Sequence, residues 1–274
     1  MRVKRVLHVF RNTPIGRETL LGAIQLCAKT GMQLYLYLPE EPRFTLQFEE
    51  ELVEVPLDGS YVTDRGTARR HAEGLADEAR VKIHWVKPHH RLASTLPVLA
   101  GEFDLMTCPR LLTDPSQGIA PGLLGSRVRR LIRSANHPVI VLPAPALDWD
   151  HITVFFAGSE HALRALAWAR RLAAAAGVDY RVFTHGEKDG VERARRALES
   201  AGFLDEVRPR WSILDERSFA ASLWNVPRRS LVVAGAFGTG AVKARLFGSR
   251  TELLLARLPN PLFLAGPNAR APKG

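Results

Sequence analysis

A chain of 274 residues is too long for one ordinary small domain and suits two of about 130–140 residues each. At 46% hydrophobic and 24% charged residues it has the make-up of a packed globular protein, which excludes disordered and fibrous classes. The net charge of +10 divides into +4 over residues 1–146 (19 basic, 15 acidic) and +6 over 147–274, with no basic tail, so neither nucleic acid nor a membrane surface is the expected partner.

In chain order, residues 6–10 read as a buried strand, and Leu20, Ile24, Cys27 and Ala28 then recur at helical spacing up to a C-capping Gly31. A strand over 34–38 follows. Residues 40–63 interleave Glu40, Glu41, Glu49, Glu50, Glu51 and Glu54 with Phe44, Leu46 and Phe48, an acidic loop or strand pair expected to run through solvent, with a lid or partner surface as the functional alternative. Next come a helix over 67–79, a strand over 81–86, a short helix over 93–100, a strand over 105–108, a helix over 128–134 and a strand over 139–142. A Pro/Ala stretch at 143–150 separates these from strands over 152–156, 180–184, 210–214, 231–235 and 262–265, with helices over 162–176, 190–201, 217–224 and 249–257. Strands alternating with helices imply crossover connections and parallel sheet covered on both faces.

The chain repeats itself. Residues 6–31 align without a gap on 152–177 at an offset of 146, setting Leu20 on Leu166, Leu26 on Leu172 and Gly31 on Gly177. A second block, 123–145, aligns at an offset of 123, with Gly125-Ser126-Arg127 on Gly248-Ser249-Arg250 and Pro138 on Pro261. The expected architecture is two tandem doubly wound, Rossmann-like α/β domains, 1–146 and 147–274. Between the shared glycines the first copy carries 23 more residues, most of them in 40–63.

The chemistry-bearing motif lies in the second copy. Residues 231–252, LVVAGAFGTGAVKARLFGSRTE, run from a buried strand into Gly235, Gly238 and Gly240 and then to Gly248-Ser249 at the start of a helix. Ligands of open α/β sheets sit beyond the carboxyl ends of strands, and a helix N-terminus offers unpaired N–H groups to anions. Glycines let backbone approach a phosphate, Ser249 can cap the helix or donate to an oxygen, and Lys243, Arg245 and Arg250 can supply charge. The loop is neither a Walker A sequence nor the dinucleotide glycine fingerprint.

Gly235-x2-Gly238-x9-Gly248-Ser249 resembles the ATP-binding branch of the universal stress proteins. VFFAGSEHALRALAWA, LVVAG and NPLFLA resemble the same family, and the likeness extends over both copies. The resemblance implies a five-stranded sheet of order 3-2-1-4-5 in each copy. It implies that Gly235, Gly238, Gly248 and Ser249 meet ribose and phosphates, where Arg250 can add its charge, and that adenine packs around Phe156, Ala157 and Phe183. It implies ATP, with or without Mg, as cofactor. It further implies pairing of 139–142 with 262–265 inside the chain, an intramolecular pseudo-dimer that leaves homodimer formation open.

Two departures weaken the motif. Family members that bind ATP carry Asp-Gly-Ser after the first strand, where this chain has Ala157-Gly158-Ser159. The first copy keeps only Gly125-Ser126 of the loop, with Leu112 and Pro115 replacing glycines and Arg11-Asn12-Thr13 at the turn. The expected function is that of a non-catalytic stress-response regulator binding ATP in the second copy and an unidentified protein partner. The alternatives are a nucleotide-free interaction scaffold and a weak ATPase or adenylating enzyme, for which no general base or metal carboxylate stands out.

Several other groups carry less. His89-His90 has no accompanying carboxylate or cysteine at ligand spacing and reads as a loop. Ser159, His161 and His185 do not spell a nucleophile motif. Trp168, Trp211 and Trp224 read as core residues, and Cys27 and Cys108 as buried reduced thiols.

Overall fold

The computed structural model describes every residue except 1–3, 40–42, 50, 57–63, 93–95, 100, 111–125, 187, 216, 237–248 and 273–274. Its first half comprises β1 (Arg5–Val9), α1 (Pro14–Thr30), β2 (Gln33–Tyr37), β3 (Arg43–Gln47), β4 (Leu52–Pro56), α2 (Arg65–Glu78), β5 (Ile83–Trp85), β6 (His90–Leu92), β7 (Leu96–Leu99), β8 (Leu105–Pro109), α3 (Ser126–Ser134) and β9 (Val139–Leu142). The second half comprises β10 (His151–Phe155), α4 (Glu160–Ala176), β11 (Asp179–His185), α5 (Lys188–Ser200), α6 (Leu204–Val207), β12 (Trp211–Leu214), α7 (Phe219–Ser222), β13 (Ser230–Gly235), α8 (Ser249–Arg257) and β14 (Leu262–Ala265).

One ten-stranded sheet runs through the molecule in the order β12-β11-β10-β13-β14-β9-β8-β1-β2-β5. All neighbours are parallel except β14 and β9, which meet antiparallel with Leu262 opposite Val141 and Leu264 opposite Val139. That junction removes two strand edges that would otherwise expose a row of unpaired backbone groups. The register repeats along the chain: Arg5 pairs with Gln33 and Val9 with Tyr37, as His151 pairs with Asp179 and Phe155 with Phe183.

The leading helix of each half is delimited by its ends. Thr13 caps α1, its Oγ1 accepting from the Gly16 N–H at 2.9 Å with Pro14 as the first helical residue, and Ser159 caps α4, its Oγ accepting from the Ala162 N–H at 3.2 Å. Each ends on a left-handed glycine, Gly31 at φ 67° and Gly177 at φ 65°. On one face of the sheet α1, α2, α4 and α5 bury Leu20, Ile24, Ala68, Ala72, Leu166, Leu172, Ala194 and Leu198 against Val6, Leu34, Val154 and Val182. Side chains alternate along each strand. Leu7, Val9, Phe155, Phe183 and Val232 therefore face the other layer, built from α3, α7, α8 and a second, four-stranded sheet of order β4-β3-β7-β6.

That second sheet corrects two expectations. The helix expected over 93–100 is a strand at 96–99, with 93–95 and 100 outside the described residues. Pro97 interrupts the helical reading, and β3 supplies a parallel partner, Thr45 opposite Val98. The acidic stretch, read as a loop or strand pair, holds the strand pair β3–β4, but this does not run through solvent, because Phe44, Leu46, Phe48, Val53 and Val55 are all buried in the core. Trp224 is a third correction: it lies in a 3-10 turn and is 91% exposed. Trp168 and Trp211 do pack, donating from Nε1 to the Arg270 carbonyl and the Thr184 hydroxyl, each at 2.9 Å.

Candidate functional site

The carboxyl end of the second half is shaped by two glycines whose neighbours are backbone. At Gly158 φ is +75°, and a Cβ there would stand 2.9 Å from the Arg193 carbonyl oxygen and 3.0 Å from the Ala194 Cα, so the turn after β10 rests directly on α5. At Gly235 a Cβ would stand 2.6 Å from the Ala162 nitrogen and 2.8 Å from the His161 carbonyl carbon. The end of β13 thus lies against the first turn of α4. Packing alone accounts for glycine at 235, independent of any ligand.

Phe156 and Phe183 do not line one surface. The Phe156 N–H donates to the Phe183 carbonyl at 2.8 Å, but the Phe156 side chain is buried under the α4–α5 layer while Phe183 points to the opposite face. The expected adenine cradle of Phe156, Ala157 and Phe183 is therefore divided by the sheet. Ala157 is half-buried in the turn between them and α4. What the fold assembles instead is an aromatic patch of Phe155, Phe183, Phe219 and His185, with Phe155 5.3 Å from Phe219, Phe183 6.0 Å from Phe155, and His185 5.6 Å from Phe219. Phe219 went unread in the sequence, and His185 was weighed there only beside Ser159 and His161. Phe219 comes from the crossover after β12, far from the glycine motif, and only the Ser218 cap before it marks a helix start.

Arg250 belongs to this patch, its guanidinium 5.4 Å above the Phe219 ring. It is exposed on the first turn of α8, which begins at Ser249. Gly238, Gly240, Lys243, Arg245 and Gly248 lie outside the described residues. The far end of α8 is held by the other half: Arg110 donates to the carbonyls of Leu255 and Leu258, and to that of Asn260 at 3.4 Å. A cation on the last carbonyls favourably meets the negative end of the helix dipole. Arg129 of α3 adds a 3.3 Å ion pair to Glu252.

The histidines divide by environment. His8 is fully buried, its Nδ1 2.8 Å from the Thr107 hydroxyl, and burial pushes its pKa down to about 3. His161, in the first turn of α4, is held below the ordinary range by burial and by Arg164, with Glu160 opposing, and its Nδ1 has no hydrogen-bond partner. Ser159 Oγ is engaged as the cap of α4, so Ser159, His161 and His185 form no hydrogen-bonded triad among the described contacts. His90 opens β6 rather than sitting in a loop, and among the described residues no group of three His, Cys, Asp or Glu could hold a metal. Burial raises the pKa of both Cys27 and Cys108 to about 12, keeping each thiol protonated and inert. No helix among the described residues is long and apolar enough to cross a membrane.

In the first half Thr13 spends its hydroxyl on the α1 cap, and Asn12 Oδ1 lies 3.1 Å from His71 Nδ1. The turn Arg11-Asn12-Thr13 thus has a local structural role. Leu112, Pro115 and Gly125 lie outside the described residues.

No family model and no curated protein matches the chain. Solved structures do. A universal stress protein from Archaeoglobus fulgidus DSM 4304 superimposes with a TM-score of 0.63 at 15% identity, over 97% of this chain and 99% of that one. The chain has a universal stress protein fold. A putative universal stress protein from Pseudomonas aeruginosa UCBPP-PA14 gives a TM-score of 0.60 at 14% identity over 97% and 94% of the two chains. The cytoplasmic domain of a prokaryotic cation chloride cotransporter gives 0.51 at 12% over 99% and 98%. At such identities the likeness is one of fold, and function has to be argued from the site.

Proposed function

We infer that the protein is a non-catalytic regulator of universal stress type that binds an adenine nucleotide, ATP, at the carboxyl end of its second half. The observation that carries this reading is the span of the glycine motif. Gly235 ends β13 and Ser249 begins α8, so the segment with family-type spacing joins a strand's carboxyl end to a helix N-terminus. The residues fit the ligand in part. The α8 N-terminus and the exposed Arg250 suit phosphates, whereas Phe155, Phe183 and Phe219 pack on one another in the core and leave a base little surface. Ala157 lacks the carboxylate of ATP-binding relatives; one lost charged hydrogen bond is worth about 1.5–3 kcal/mol, or roughly tenfold to a hundredfold in affinity.

Each half of the sheet is read as one copy of the 3-2-1-4-5 unit, joined at β9 and β14 as a pseudo-dimer within the chain. A nucleotide-free scaffold is the competing reading, favoured by the packing role of Gly235 and by the separation of Phe156 from Phe183 across the sheet. Photolabelling with 8-azido-ATP tests between them. Covalent label that excess ATP competes away is the expected result, with phosphate release no faster than in buffer. Label that ATP does not displace would refute the nucleotide reading.

A further inference from the structure

We propose that a groove between α2 and β5, at the outer edge of the main sheet, docks a helical turn of a partner protein, one that presents two aliphatic side chains three positions apart with acidic residues between them. It lies in the first half and owes nothing to the nucleotide reading. The groove measures about 470 Å³, a size that holds ligands in other proteins, and Ala76, Val81, Ile83 and Trp85 give it an apolar lining. Glu73 and Asp77 border it from α2, Arg80 and Lys82 from the segment that leads into β5. Trp85 is a fixed wall: its Nε1 donates to Glu73 at 3.0 Å, and the Arg69 guanidinium lies 4.7 Å from the ring centre.

The second half carries its own occupant at the corresponding place. α2 and α5 end alike: the N–H groups of Arg80 and Val81 donate to the carbonyls of Asp77 and Ala76, as those of Gly202 and Phe203 donate to Glu199 and Leu198. Arg80 and Gly202 are both left-handed, at φ 55° and 70°. The strands that follow correspond too, Trp85 lying opposite Leu36 as Trp211 lies opposite Val182, and Leu36 and Val182 are themselves related by the offset of 146. Val81 and Trp85 are 4 positions apart, Phe203 and Trp211 8, and the difference equals the 4 residues of α6. Leu204 and Val207 of that turn are buried in the core, on one face, while Asp205 and Glu206 between them are exposed. Leu198 beneath them stands where the first half has the smaller Ala76. The first half therefore keeps the helix end, the strand and the tryptophan of this arrangement without the aliphatic turn that completes it. Arg80 and Lys82, both exposed, flank the point where the extra turn enters and suit acidic residues, as Arg170 does in holding Glu206 at 2.7 Å. An aliphatic, acidic turn laid into an apolar groove is a recurring mode of protein recognition.

Amide NMR spectra of the isotope-labelled full chain, titrated with the capped peptide Phe-Leu-Asp-Glu-Val-Arg copied from residues 203–208, test the groove. Saturable shifts at millimolar peptide, largest in residues 73–85, are the expected result. They should be lost when serine replaces the leucine and valine of the peptide, and lost again in a chain with Leu-Asp-Glu-Val inserted after Val81, which supplies the turn from within. No shifts in 73–85, shifts centred elsewhere, or equal shifts with the serine peptide would overturn the proposal. Should the insertion not fold, Ala76→Leu and Lys82→Glu take its place. Weaker binding by both supports the groove, and unchanged binding by both refutes it.

Discussion

Gly235→Ala separates a glycine required by packing from one required by ligand. The added methyl would lie 2.6 Å from the Ala162 nitrogen and 2.8 Å from the His161 carbonyl carbon, both backbone atoms in the first turn of α4. No rotamer can relieve the overlap, so β13 and α4 must part by several tenths of an ångström. Overpacking of this kind costs about 1–3 kcal/mol, and the rigidity of the neighbours places Gly235 toward the upper end. At roughly 2–4 °C per kcal/mol for a chain of this size, the Tm should fall by about 4–12 °C in scanning calorimetry without any nucleotide. Gly31→Ala is the matched control: it is strained by a φ of +67°, but no atom lies within 4 Å of its Cβ. A ligand-free Tm within about 1 °C of wild type for Gly235→Ala would refute the close contact and return this glycine to the nucleotide.

Other outcomes follow from the same contacts. Arg110→Ala leaves the last carbonyls of α8 without their cation and should lower stability by about 1–3 kcal/mol in urea unfolding. Removing the cap hydroxyl in Ser159→Ala should cost about 0.5–2 kcal/mol by the same measurement, whereas Trp224→Ala, at a 91% exposed position, should stay within about 0.5 kcal/mol. His8 and His137 are buried neutral, with pKa values of about 3 and about 4 against 6.5 unfolded. Their stabilising contribution is complete above pH 6.5 and is lost as pH falls from there toward 4 and 3, because the unfolded chain takes up the protons first. Each gives a slope of up to about 1.4 kcal/mol per pH unit, and His8→Gln should flatten the acid limb of a stability–pH curve.

The main sheet was legible because its strands are short apolar runs and its leading helices carry their own punctuation, Thr13 to Gly31 and Ser159 to Gly177. The second sheet was not, because residues 96–99 pair with the short β6 on one side and, on the other, with β3, some fifty residues earlier. A short apolar run carries no mark of that distant partner. Nor could Phe156 and Phe183 be assigned to faces: the pairing of Phe155 with Phe183 sets Phe156 on the opposite side, and a one-residue slip would have reversed it. Phe219 and Arg250 become neighbours only through the crossover from β12. The glycine motif gave the place of the proposed site, and the side chains around it had to come from the fold.

The central claim is a nucleotide site between β13 and α8, and its most direct test is calorimetric titration of Mg-ATP into the wild type and Gly238→Val. Saturable heat at one ATP per chain is expected in the wild type, and its loss in the variant. No heat at millimolar ATP, or identical isotherms for the two proteins, would contradict it.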